Sequence, residues 1–223
     1  MAWPPSNTLY LLTLIILLQT PLISAKNTSS IPVCRSLTAT VNDSSWLSPL
    51  NSFAFGFTKY SNSSKLFLLA IWYAKIIPIT IVWHANDGIP VPQGSSVRIT
   101  ATAGLVLSNP EGISLWNTSD ELSDGNEVSY GFLYDTGNFV LKRSSSDDDV
   151  VWQSFDHPTD TLLPTQSMEI DGVVYLKLSE TNFTKGRFQL NFELRDDIRG
   201  NLILNSRDLT TGFGYGAYYN SGI

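Results

Sequence analysis

Cysteine is nearly absent: Cys34 is the single one in 223 residues. No disulfide can form within the chain, so the fold has to stand on its buried apolar area. Basic residues are scarce, with 14 Lys plus Arg against 20 Asp plus Glu and a formal net charge of −6. No basic cluster occurs, which argues against nucleic acid as a partner, because neutralising phosphate supplies most of that affinity. Only two histidines are present, which leaves few choices for a Ser-His-Asp or Cys-His catalytic set, and none is assembled. Sustained helical periodicity is missing outside the N-terminus. The run Thr8 to Leu18 is well short of the roughly 20 apolar residues that span a bilayer.

That run has a different use. It is followed by Pro21 and the small residues Ser24 and Ala25, the pattern of a secretory signal spanning 1–25 and cleaved after Ala25. The usual basic residues before the run are absent. No second run of this kind follows, so the mature chain is expected to lack a membrane span. Five glycosylation acceptors agree with a secreted or extracellular location (apoplast or cell surface): Asn27, Asn42, Asn62, Asn117 and Asn182, each two residues before Ser or Thr. Cys34 then reads as a buried or incidental thiol, with pairing to another chain as the alternative.

Aromatics make up 12% of the chain, with six Trp, and Gly, Pro, Asn and Ser punctuate at short intervals. This composition predicts an all-β fold. A glycine-led hairpin recurs. Gly104-Leu105-Val106-Leu107 turns at Asn109–Gly112 into Ile113–Trp116, and Gly137-Asn138-Phe139-Val140-Leu141 crosses a polar loop to a strand ending at Trp152. Gly200-Asn201-Leu202-Ile203-Leu204 leads, less regularly, to Gly216–Tyr219. The first two glycines lie 33 residues apart and the third 63 further on, a period that marks repeated supersecondary units. Three such ribbons are expected to close around shared aromatics. Ahead of them, 52–57, 65–73 and 80–86 predict a three-strand meander, with Phe53, Phe55 and Phe57 on one face and 65–73 buried on both. Beyond Pro164, 173–178 and 186–194 predict two more strands, the second with Phe188, Leu190, Phe192 and Leu194 turned inward.

The segment Trp152-Gln153-Ser154-Phe155-Asp156-His157-Pro158-Thr159-Asp160-Thr161-Leu162-Leu163-Pro164, after Asp135-Thr136-Gly137-Asn138-Phe139-Val140-Leu141, resembles the signature of plant S-domain (G-type lectin) receptor-like kinases. Phe53–Phe57, Ala70–Tyr73 and Val82–Asn86 are similar to the same family's bulb-type lectin module. The resemblance covers about residue 33 to the end. It implies a β-prism II fold, three small antiparallel sheets about a pseudo-threefold axis with Trp residues near its centre. It also implies a bulb-type lectin domain over 26–155 and a second, partial lectin-like module over 156–223. No kinase motif of that family occurs, so the chain is expected to be either a free ectodomain or a receptor truncated before its kinase, and not an enzyme.

The family binds mannose through Q-x-D-x-N-x-V-x-Y, alternate residues presenting donors and acceptors on one strand face. Aligned on Asn138, this chain offers Tyr134, Thr136, Asn138, Val140 and Lys142, keeping only the Asn and the Val. Asp135 is one place out of register and faces the other way. Around Gly200 only Asn201 is kept. The resemblance therefore implies a mannose-type lectin with a degenerate site. The alternative is a protein-interaction ectodomain with sugar binding lost, pairing with related ectodomains. No cofactor, metal or catalytic residue is expected. Asp156-His157-Pro158-Thr159-Asp160 reads as a turn whose Asp and Thr side chains bond nearby amides, Asp147–Asp149 as a solvated loop, and His84 as a hydrogen-bonded structural histidine.

Overall fold

The computed structural model describes residues 29–40, 44–60, 65–122, 127–143, 149–195 and 199–222, and its strands form four antiparallel sheets. The first is the meander Ser44–Leu47, Phe53–Lys59, Leu66–Tyr73 and Ile81–His84, with Val91–Pro92 added beside Leu66–Tyr73. The second joins Ser36–Thr38, Ser96–Thr100, Gly104–Ser108 and Ser114–Asn117. The third joins Ile31–Pro32, Tyr130–Leu133, Phe139–Lys142 and Val150–Gln153.

These three sheets share one core. Alternation places Phe55, Leu69 and Ile71 of the first against Ile99, Leu105 and Leu107 of the second and Leu133, Phe139 and Leu141 of the third, all buried. The rings stack: Phe55 lies 4.4 Å from Phe139 across the sheets and 5.6 Å from Trp46 within its own sheet, between centroids. Such pairs add about 0.5–1.5 kcal/mol each beyond the area they bury. The expected prism is present. The strand Leu66–Tyr73 is buried on both faces, as its unbroken apolar run requires: Phe67, Leu69 and Ile71 enter the main core, and Leu68, Ala70 and Trp72 form a second cluster with Ala54.

The N-terminal segment holds two of the sheets together. Ile31 pairs with Gly131 and Pro32 with Tyr130, and then Ser36, Leu37 and Thr38 pair with Arg98, Val97 and Ser96. Between them Cys34 adopts a left-handed backbone (φ 70°), and its N–H donates to the Ile99 carbonyl at 2.8 Å. Cys34 is exposed, not buried.

The third ribbon is not where the glycine period puts it. Arg199–Ser206 belongs to a fourth sheet with Val173–Ser179, Asn182–Arg195 and Tyr219–Asn220, and no residue of that sheet enters the shared core. The third member of the prism is the 44–84 meander. The better marker is tryptophan. Trp83, Trp116 and Trp152 each stand third in the fourth strand of their sheet, 33 and 36 residues apart, and meet at centroid distances of 6.1–6.4 Å, edge to face. The face of 186–194 is also reversed. Phe188 and Leu194 are exposed, because no other sheet lies over that side among the described residues, while the opposite side carries Tyr175 toward the prism.

Truncating the ring at the centre tests this packing. Phe55→Ala is expected to lower the unfolding free energy by about 3–5 kcal/mol, read from urea melts with an unchanged slope. A loss below about 1 kcal/mol would contradict a core closed by this ring.

Candidate functional site

The row predicted to face a sugar begins at a tight turn. The Gly137 N–H donates to the Tyr134 carbonyl at 3.0 Å and the Tyr134 N–H to the Asn138 carbonyl at 2.9 Å. Gly137 sits at φ 91°, and a Cβ there would come within 2.5 Å of Leu163, so only glycine fits. Asp135, out of register as expected, reaches the neighbouring loop instead, accepting from the Leu50 N–H at 3.0 Å.

The structure brings Tyr134, Thr136, Asn138, Val140 and Lys142 onto one hairpin, and it spends much of their polar capacity inside the protein. The Asn138 amide nitrogen donates to Gln153 Oε1 at 2.8 Å, and its oxygen accepts from Ser154 Oγ and the Phe155 N–H, both at 3.2 Å. Asn138 thus ties its strand to the start of the Phe155–Pro164 segment. Val140 is 1% exposed and Lys142 is 2% exposed, with the Lys142 ammonium 5.5 Å from the centre of the Tyr134 ring. Thr136 is exposed and Tyr134 half-buried, edge-on to Phe132. Asn201 is apart from all of these, in the fourth sheet, buried, its oxygen accepting from Ser221 Oγ at 3.1 Å and the Gly222 N–H at 3.3 Å.

Of the glycosylation acceptors, Asn117 is exposed and accepts from the Ser119 hydroxyl, and Asn182 is half-buried and accepts from the Thr184 hydroxyl at 2.7 Å. Asn27, Asn42 and Asn62 lie outside the described residues, as do the 1–25 signal and Asp147–Asp148.

Sequence reasoning missed a second constellation, at the indole end of the prism. The Trp83 indole N–H donates to the His157 carbonyl at 2.9 Å, the His157 ring stacks on Trp152 at 5.4 Å, and His157 Nε2 lies 2.7 Å from Glu121 Oε2. Asp156 accepts from the Gln153 side-chain amide at 2.8 Å and the His157 N–H donates to the Ser154 carbonyl at 3.1 Å, so these bonds hold the turn where Asp–amide bonds were expected. The spacing of Trp83, Trp116 and Trp152 was the signal that could have located this end. His84, expected to be hydrogen-bonded, is buried with no hydrogen bond to Nδ1 among the described residues. Burial lowers its pKa below the ordinary 6.5, against the opposing pull of Asp160. No group of three or more metal-binding side chains occurs among the described residues, and no helix there is long and apolar enough to cross a membrane.

Comparison with known proteins places these features. The family described as D-mannose binding lectin matches residues 80–182. The chain is 44% identical to the G-type lectin S-receptor-like serine/threonine-protein kinase RLK1 of Arabidopsis thaliana, over 94% of this chain and 26% of the relative. It is 37% identical to the G-type lectin S-receptor-like serine/threonine-protein kinase LECRK3 of Oryza sativa subsp. indica, over 89% of this chain and 24% of the relative. The chain spans about a quarter of the length of the curated relatives it matches.

Asn138→Ala strands the donors of Ser154 and Phe155, and a loss of about 2 kcal/mol in unfolding free energy is expected; a neutral substitution would show that these bonds do not hold the turn. His84 gives a pH signature. Its folded pKa is depressed, so the unfolded chain takes up the proton first as pH falls. Its stabilising share is present above 6.5 and is lost progressively as pH falls below 6.5 toward the lowered folded value. Thermal melts taken from about pH 7 to 5 should fall less steeply for His84→Gln than for the parent. Parallel slopes would show that His84 is not held neutral.

Proposed function

From a chain that belongs to the bulb-type lectin family, we infer a secreted or cell-surface carbohydrate-recognition module, non-catalytic, with a degenerate strand-face site for mannose-type glycans. The match of residues 80–182 to the D-mannose binding lectin family carries this reading. The receptor-kinase names of the relatives support an extracellular place for it, with 1–25 as the signal. Within 26–155, Asn138 and Val140 keep the family's positions, but the Asn138 amide already serves its neighbours and Val140 is covered. Contact at this row then falls to Thr136 and the exposed part of Tyr134, with Lys142 behind the Tyr134 ring. Two hydroxyls without a charged partner support affinities on the order of millimolar.

A second reading draws on a separate observation. Leu176, Phe188, Leu194, Leu202 and Tyr218 of the fourth sheet are all exposed. A one-sided apolar sheet of this kind suits contact with a related lectin-like ectodomain, with 156–223 as a second, partial module.

A glycan array that includes mannosides separates these. Binding to at least one mannose-type glycan is expected, and silence on every sugar would discard the lectin role. Sedimentation of the chain with a related ectodomain then reads the second: association that Phe188→Ser weakens supports it, and independent sedimentation removes it.

A further inference from the structure

At the indole end of the prism the fourth sheet comes close. The Tyr175 N–H donates to the Thr159 carbonyl at 3.0 Å, and Gly88 sits against the Phe183 backbone so tightly that a Cβ would come within 2.2 Å of its carbonyl oxygen. Between the two lies a cleft of about 340 Å³, within the roughly 300–1,000 Å³ typical of small-ligand sites. Trp116, Tyr175 and Phe183, each half-buried, give it aromatic walls.

Its polar groups come as opposed pairs. Glu121 stands 2.7 Å from His157, and Asp87 stands 2.8 Å from Lys185. All four side chains are partly exposed, so each pair keeps an acceptor and a donor turned to whatever enters. Deeper in, three buried polar atoms of residues lining the cleft make no hydrogen bond among the described residues: His84 Nδ1, Trp152 Nε1 and Thr159 Oγ1. Each such orphan has lost its bond to water without gaining one from the protein. An occupant carrying both donors and acceptors, with a small shift of these side chains, recovers part of that loss. An ionic occupant fits poorly, because it would have to displace one partner of a pair already made, Glu121 with His157 or the ion pair of Asp87 with Lys185. A neutral polyhydroxylated ring fits on both counts: its C–H face lies on the aromatic walls, and its hydroxyls both donate and accept.

We propose that this cleft, more than the weak Asn138 row, is where the chain holds one hexopyranose unit of a glycan. The proposal rests on the carbohydrate-recognition reading above and assigns it a place. It also gives the row's internal bonds a consequence, since the side chains that hold the turn at Asn138 leave sugar contact to a surface that the turn itself helps build: Asn138 fixes Phe155, and Phe155 precedes Asp156 and His157 in the cleft lining.

The test uses the full chain carrying 15N-labelled tryptophan, titrated with methyl α-mannopyranoside and with the glycans that score on the array. Saturable shifts of the Trp83, Trp116 and Trp152 indole signals are expected, with Trp46 and Trp72 unmoved. Glu121→Gln and Asp87→Asn keep size and backbone preference and should together weaken binding about tenfold, because they remove the charge assistance from one or two hydrogen bonds. Sugar binding that leaves the three indoles still, or that falls with Thr136→Ala and not with the cleft substitutions, overturns the cleft and leaves the lectin reading standing. Absence of any sugar binding removes both. Should the substituted chains misfold, the indole shifts of the parent protein decide alone.

Discussion

Everything in this molecule depends on three indoles meeting edge to face. Each of the three sheets is too small to bury its own apolar side, and each contributes one tryptophan from the same place in its fourth strand. Edge-to-face rings at this spacing fix orientation as well as distance, so the three sheets cannot slide or rotate independently. Stacked phenyl rings from Phe55 and Phe139 fill the axis behind them. With no disulfide available, this closure and the N-terminal segment paired across two sheets are what hold strands far apart in the chain in one register.

Local alternation and punctuation made much of this legible. Phe53, Phe55 and Phe57 on one face, and the doubly buried Leu66–Tyr73, follow from side-chain period alone. Glycine was a poorer guide to the repeat. Gly104 and Gly137 do open equivalent strands, and both adopt positive φ, but a glycine reports a local backbone need and carries no information about which sheet its strand joins. Gly200 opens a strand of the same kind in another sheet. Tryptophan carries the non-local information, because an indole at the axis is useful only if its counterparts are there too. The 186–194 strand shows the same limit from the other side. Its alternation separates Phe188, Leu190, Phe192 and Leu194 from their neighbours correctly, but which of two faces is covered depends on what packs against it, and that is not written in the strand.

The candidate sugar row illustrates how an identity can persist while its chemistry is redirected. Asn138 is the residue the family's motif has at that place, and nothing in the sequence distinguishes an amide offered to solvent from one that bonds Gln153, Ser154 and Phe155. An amide has a limited number of donors and acceptors. Once they hold a turn, few remain for a ligand. Lys142, which replaces the motif's tyrosine, is buried against Tyr134 and so belongs to the sheet's own packing as much as to its surface.

The fourth sheet differs from the other three in that its polarity is inverted with respect to the prism. The three prism sheets turn apolar residues toward their common axis. The fourth presents Tyr175 and Lys185 to the indole end and leaves Phe188 and Leu202 outside. Had its apolar side met Trp83 and Trp116, the two surfaces would have merged into a dry extension of the core, and the polar pairs of Glu121 and Asp87 would have had no room. Meeting through polar and aromatic groups, with backbone contact between Thr159 and Tyr175 and between Gly88 and Phe183, they leave room for a small molecule between, so that the sheet which adds nothing to the shared prism core is the one that gives the core's end a chemically mixed cleft.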